Sequence, residues 1–375
     1  MKLAFCLFKY FPFGGLQRDF SHIAQACNVR GHSIRVFTMS WEGGIPEGFQ
    51  VSRVTGHGIT NHRRCWNFSK KVNEHLGKDP HDLVIGFNKM QGLDVYYAAD
   101  PCYKARVMAE KSLLYRLGPR CRTYLSMEKA VFSPSSAAHI LLISEKEKDK
   151  YIRYYHTQEN RFQNLSPGIS ADRVLPGNPR EVREKVRTEL GVGRDELLLL
   201  MVGSGFRTKG LDRALQALAG LPETLRSRTR LFVIGKGKAQ PFASIAQKLR
   251  VDRQVHFLGG RDDVPRFMVS ADLLLHPAYS ENTGTVLIEA MASGLPVLAT
   301  DICGYAFHVE KAGGGLLIPS PFAQKVLDRL LLHMLTSPER TTWAQNGMHY
   351  VKVNDFFRMP EKAADIIEAL ASKGT

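Results

Sequence analysis

Short apolar runs separated by amphipathic stretches organise this chain. Leu3–Phe8, Ile34–Thr38, Leu83–Phe87 and His139–Ile143 form a first set; Leu197–Val202, Leu231–Ile234, Val255–Leu258, Leu273–His276 and Pro296–Ala299 form a second. Each is strand-length and rich in leucine or β-branched residues, as strands buried on both faces are, and the helical patterns between them read as crossovers. The alternation predicts an α/β protein built on parallel sheets. Asn164–Pro179, with three prolines and two glycines, separates the two sets. One domain is therefore expected over residues 1–167 and a second over 168–355. Residues 356–375 are expected to add a helix, begun by Pro360 and carrying Ala363, Ile366, Ile367 and Leu370 on one side, that packs back on the first domain.

Composition agrees with this division. A chain of 375 residues exceeds one ordinary core, and 44% apolar with 23% charged residues is the balance of a globular protein rather than a disordered one. The formal charge of +15 implies an acidic partner. Most of the excess lies early: residues 1–167 hold 24 Lys and Arg against 14 Asp and Glu, the remainder 27 against 22. Six cysteines without a C-x-x-C pair argue against a zinc site or a disulfide framework and for a reducing cytoplasm. Met1–Phe8 is a strand's length and is expected to form a strand rather than a leader. Leu197–Val202 falls far short of the ~20 residues that cross a bilayer.

Candidate chemistry concentrates in Tyr279–Thr300, where Glu281 and Glu289 stand eight positions apart. The strand Leu273–His276 empties into a Pro-containing loop carrying Glu281, and an apolar helix then begins with Asn282 or Thr283 as the expected N-cap. Free amides at a helix start hold phosphates. Glu289 falls within the apolar run, where an unpaired carboxylate is costly, so it is expected to bind hydroxyls. A second glycine turn, Gly203-Ser-Gly-Phe-Arg-Thr-Lys-Gly210, has neither G-x-G-x-x-G nor P-loop spacing, and the following strand ends in Ile234-Gly-Lys-Gly237 without the acid a dinucleotide ribose needs. Gly14 and Gly15, after the first strand, let backbone approach a ligand. No Asp-x-Asp and no His or Cys cluster offers a metal a seat. No cofactor is expected, and a metal's work is left to side-chain cations.

Glu281, Glu289, Gly294, Pro296 and Val297 reproduce the Glu-x7-Glu and Gly-x-Pro-Val pattern of glycosyltransferase family 4, which this chain resembles. The resemblance implies the GT-B fold, two Rossmann-like domains facing a deep inter-domain cleft, the first (1–167) binding the acceptor and the second (168–355) the nucleotide sugar. It implies that Glu289 holds the nucleotide ribose, that Glu281 lies by the donor sugar, and that Asn282, Thr283, Gly284 and Thr285 surround the sugar and diphosphate. Arg207 and Lys209, joined by Arg173, become the diphosphate-neutralising cations. Gly15 and Asp19 face the donor, and Arg261 sits where the family contacts the base through its backbone. Asp100 stands where many members carry a histidine and joins Glu281 as a candidate catalytic residue.

Phe5–Phe20, Gly86–Val95 and Asp272–Tyr279 narrow the resemblance to bacterial lipopolysaccharide core glucosyltransferases, over nearly the whole chain. That implies retaining transfer of α-glucose from UDP-glucose to an inner-core heptose of nascent lipopolysaccharide. A basic, aromatic stretch between Tyr103 and Phe132, with Lys104, Arg106, Lys111, Arg116, Arg120 and Arg122, is expected to lie on anionic lipid at the cytoplasmic face of the inner membrane. The alternatives are a GT-B enzyme with another donor or acceptor, an inactive GT-B scaffold, and a basic nucleic-acid-binding protein. The last rests on charge alone, for no motif that reads nucleic acid is present.

Overall fold

The computed structural model describes residues 1–12, 14–169 and 177–372. The chain forms two compact units, Met1–Gly168 with Arg358–Thr375, and Ile169–Phe357.

Strands of the first unit are β1 (Lys2–Cys6), β2 (Lys9–Tyr10), β3 (Ser33–Thr38), β4 (Ser40–Trp41), β5 (Phe49–Arg53), β6 (Leu83–Gly86), β7 (Val95–Ala98), β8 (His139–Leu142) and β9 (Phe162–Asn164). Among the described residues seven of them make one sheet, in the order β5-β3-β1-β6-β7-β8-β9, and β2 pairs separately with β4. All its pairings are parallel. Successive side chains of a strand point to opposite faces, so Leu3, Phe5 and Leu7 join one core while Ala4 and Cys6 join the other. With helices on both faces, an uninterrupted apolar run is the pattern such a strand needs.

The second unit repeats the design with β10 (Leu197–Val202), β11 (Thr229–Ile234), β12 (Val255–Gly259), β13 (Leu273–His276), β14 (Val297–Thr300) and β15 (Gly315–Ile318), ordered β12-β11-β10-β13-β14-β15. These pairings too are parallel. In each sheet the chain winds outward from its first strand and then returns to that strand's other side, from β5 to β6 and from β12 to β13. Such a switch point leaves a crevice at the carboxyl ends, where doubly wound sheets bind ligands.

Several strands lie outside the apolar runs. β5 exposes Gln50 and Arg53 along a sheet edge, β9 is a three-residue edge, and β15 opens on a glycine. The expected N-cap is also corrected: the helix runs Thr285–Ala292 and is capped by Gly284 at φ 90, not by Asn282 or Thr283. The chain turns so sharply out of the Glu281 loop that the last residue before the helix takes a left-handed conformation open to glycine. The terminal helix Met359–Ala371 buries Ala363, Ala364 and Ile367 in the same core as Leu3 and Phe20. Arg30 and His32 fasten it by hydrogen bonds of 2.8 and 2.7 Å to Glu368.

Candidate active site

Two loops frame the switch-point crevice of the second sheet, Gly203–Gly210 leaving β10 and Pro277–Gly284 leaving β13. They are stitched together. Tyr279 N donates to Thr208 O at 2.8 Å, and the Arg213 guanidinium donates to Pro277 O and Ala278 O at 3.1 and 3.0 Å. At Gly210 (φ 77) a Cβ would lie 2.0 Å from Pro277 O, so this close approach admits only glycine.

The Lys209 side chain runs back over Gly203, where a Cβ would come within 3.3 Å of its Cε, and pairs with the Glu281 carboxylate. Glu281 Oε2 also lies 3.3 Å from His276 Nε2 at the end of β13. Glu281 is 13% exposed and His276 fully buried. Burial would raise the Glu281 pKa, but the His276 hydrogen bond and the Lys209 charge overcome it and hold the carboxyl at about 2. Glu281 is therefore a fixed negative charge at neutral pH and not a proton donor.

The Glu281 loop is pinned from behind, where Gly304 N donates to Glu281 O at 3.2 Å and Tyr305 N to Thr283 O at 2.7 Å. A Cβ on Gly304 would stand 1.8 Å from Asn282 O. Gly304→Ala is therefore expected to displace the loop and lower turnover about 10-fold while leaving both sheets intact, measured by steady-state kinetics beside circular dichroism. Thr285–Ala292 follows, its first two amides, of Thr285 and Val286, preceding the first bond of the turn, Leu287 N to Gly284 O at 2.9 Å, with Glu289 buried on the helix at 6% exposure.

The other candidate residues are less concentrated. Arg207 is exposed on the Lys209 loop. The Arg261 guanidinium is taken by Asp263 through bonds of 2.7 and 2.8 Å. Arg173 lies outside the described residues. In the first unit Gly15 opens the helix Gly15–Val29, and Asp19 accepts a hydrogen bond of 2.8 Å from the Tyr97 hydroxyl. Asp100 is exposed beyond β7.

The basic stretch folds as helices Tyr103–Glu110, Leu113–Leu117 and Pro119–Phe132. Buried Glu128 anchors it, accepting from Tyr103 N, Lys104 N, Lys89 Nζ and the Tyr155 hydroxyl at 2.7–2.9 Å. Lys104 is drawn inward to Tyr154 O at 2.9 Å and lies over the Tyr155 ring. Arg116 closes the turn by donating to Lys111 O and Met108 O. Arg106, Lys111, Arg120 and Arg122 are exposed. Sequence reasoning missed two features: His276 as a partner of Glu281, and the outward direction of Leu113, Leu114 and Leu117, which are 66–84% exposed.

Two doubly wound parallel-sheet units, with paired glutamates and a cationic glycine loop on the second, define a GT-B glycosyltransferase. The model of glycosyl transferases group 1 matches residues 182–349. The lipopolysaccharide glucosyltransferase WaaG of Escherichia coli (strain K12) is 48% identical over 368 residues, 98% of each chain. The chain belongs to the family of that relative, the lipopolysaccharide glucosyltransferases. The crystal structure of WaaG superposes with a TM-score of 0.93 over 97% of this chain and 99% of that one, at 48% identity. Anabaena Alr3699/HepE in complex with UDP-glucose shares the fold at 18% identity, with a TM-score of 0.74 over 98% of this chain and 100% of that one.

Proposed function

We propose that this protein transfers α-glucose from UDP-glucose to a heptose of the lipopolysaccharide inner core with retention at the anomeric carbon. The observation that carries the reading is the Lys209–Glu281–His276 cluster beside the start of Thr285–Ala292, a fixed array of charges and amides for a sugar diphosphate. The lipopolysaccharide glucosyltransferase relative supports the acceptor class. In this reading the C1–O bond to the diphosphate loosens into an oxocarbenium-like species. Lys209, Arg207 and the helix amides meet the charge that develops on the leaving group. The departing phosphate oxygen takes the acceptor hydroxyl proton as the new C1–O bond forms on the same face, so no protein nucleophile is needed. Glu289 holds the ribose. Side-chain cations carry out the neutralisation here, and EDTA is expected to leave the rate unchanged. Incubation with a panel of UDP-sugars and deep-rough lipopolysaccharide, followed by product mass and anomeric configuration, tests the proposal. Absence of a hexose gain from UDP-glucose overturns it.

Peripheral attachment to the cytoplasmic face of the inner membrane belongs to the same proposal. Exposed Leu113, Leu114 and Leu117 stand beside Lys111, Arg120 and Arg122, an apolar and cationic pairing suited to anionic lipid. At about 1 kcal/mol per cation near the surface, neutralising Lys111, Arg116, Arg120 and Arg122 together is expected to weaken binding to phosphatidylglycerol vesicles by at least ~100-fold. Unchanged sedimentation with vesicles excludes this surface.

A further inference from the structure

Glu281 meets His276, five positions before it, only because the chain between them doubles back. No helix or strand holds residues 277–279, which make that return. Their path is set from outside. The Arg213 Nη1 group donates to two successive carbonyls, Pro277 O at 3.1 Å and Ala278 O at 3.0 Å, and the buried Thr300 hydroxyl donates to Ala278 O at 3.0 Å.

The Arg213 guanidinium is itself gripped. Its carbon lies 3.5 Å from the centre of the Tyr279 ring and 3.6 Å from that of the Phe322 ring, so one ring covers each face. A planar, delocalised cation stacks on rings in this way, whereas an ammonium has no plane to offer. The three members come from separate segments. Arg213 lies on the helix Leu211–Ala219 that follows the Lys209 loop, Tyr279 stands just before Glu281, and Phe322 comes from the chain beyond β15. Two further bonds close the assembly: the Tyr279 hydroxyl donates to Asp212 Oδ2 at 2.7 Å, and Gln324 Nε2 donates to Arg213 O at 3.1 Å. Tyr279 is 48% exposed, and at so open a place ring stacking contributes little to the stability of the whole unit. What it fixes is the path of one turn.

We propose that Arg213, clamped between Tyr279 and Phe322, is a positioning residue of the transfer reaction. It holds the carbonyls of Pro277 and Ala278 so that the next few residues deliver the Glu281 carboxylate between Lys209 and His276. Arg213 works through Glu281 rather than on the substrate. The inference rests on the function proposed above and adds to its donor side a residue outside the Glu-x7-Glu pattern.

The test is a double-mutant cycle on the full chain. Arg213→Met is expected to lower kcat about 30-fold, the scale of a small misplacement at a reacting centre. The KM for UDP-glucose should not rise, because Lys209 keeps its own loop. Phe322→Ala removes one face of the stack and spares the hydrogen bonds, so its kcat should fall about fivefold. On a Glu281→Gln background either substitution should cost less than about twofold, because residues that act through one another are not additive. A purely structural role predicts the same cost on both backgrounds, and that result overturns the inference. A wild-type kcat in Arg213→Met overturns it as well. Should Arg213→Met fail to fold, Phe322→Ala carries the same cycle with the same two outcomes. If the wild type transfers nothing from UDP-glucose, the proposed reaction falls, and a crystal structure of the variant decides the placement separately. Glu281 drawn away from His276 supports it; Glu281 Oε2 still 3.3 Å from His276 Nε2 overturns it.

Discussion

Glu281→Gln is expected to lower kcat by roughly 100- to 1,000-fold, the scale seen when one preorganised electrostatic contact to a transition state is removed. UDP should bind at least as tightly as before. The substitution keeps the shape of the side chain and removes a carboxylate that is 13% exposed and sits between Lys209 and His276. Without that charge the Lys209 ammonium faces the diphosphate unopposed, so a ground-state ligand gains while the sugar loses its fixed neighbour. Calorimetric titration with UDP, set beside steady-state transfer, separates the two effects. Wild-type turnover in Glu281→Gln refutes the role.

The same variant carries a pH signature. The folded-state pKa of about 2 lies below the ordinary 4.5, so the native state binds fewer protons here than the unfolded chain does. The associated stability is fully present above pH 4.5 and is lost as pH falls toward 2. The melting-temperature gap between wild type and Glu281→Gln should therefore be constant near neutrality and change only below pH 4.5. No acid limb of the rate profile near neutrality should belong to Glu281.

Lys209→Met is the second large effect. Truncating one member of a desolvated charge pair costs about 2–5 kcal/mol, and UDP affinity is expected to fall by at least ~30-fold. Stability should fall too, because Glu281 remains buried beside His276 without its ammonium partner. Adding Glu281→Gln to Lys209→Met should restore melting temperature without restoring UDP binding. That split distinguishes ligand recognition from a purely structural ion pair. UDP affinity unchanged in Lys209→Met removes the cation from the proposed chemistry.

Much of this was legible in the linear chain. Strands buried on both faces announce themselves as apolar runs, and the runs read from the sequence fall on β1, β3, β6, β8, β10, β11, β12, β13 and β14. Strands such as β5 escaped because an edge strand keeps polar residues on its open side, so its pattern resembles a loop. Glu281 and Lys209 both stand out in the sequence, but their meeting across 72 positions depends on how β10 and β13 lie side by side. His276 was invisible for a related reason: in sequence it is one more residue of a buried strand, and only the turn after Pro277 returns Glu281 to it. Leu113, Leu114 and Leu117 look like core residues on a helical pattern, yet the helix they share is a five-residue piece with no buried residue.

The return of residues 358–371 to the first unit bears on how the chain can be dissected. A fragment ended at the linker would lack the helix that covers Phe20, Ile23 and Leu3, and would present that greasy face to water. Proteolysis or gene truncation that aims to isolate the amino-terminal half should therefore yield an aggregating product unless the last helix is supplied, fused or in trans. The core of the amino-terminal half is thus completed only once Met359–Ala371 has left the ribosome, a hundred and ninety-five positions after the half's own last strand ends at Asn164.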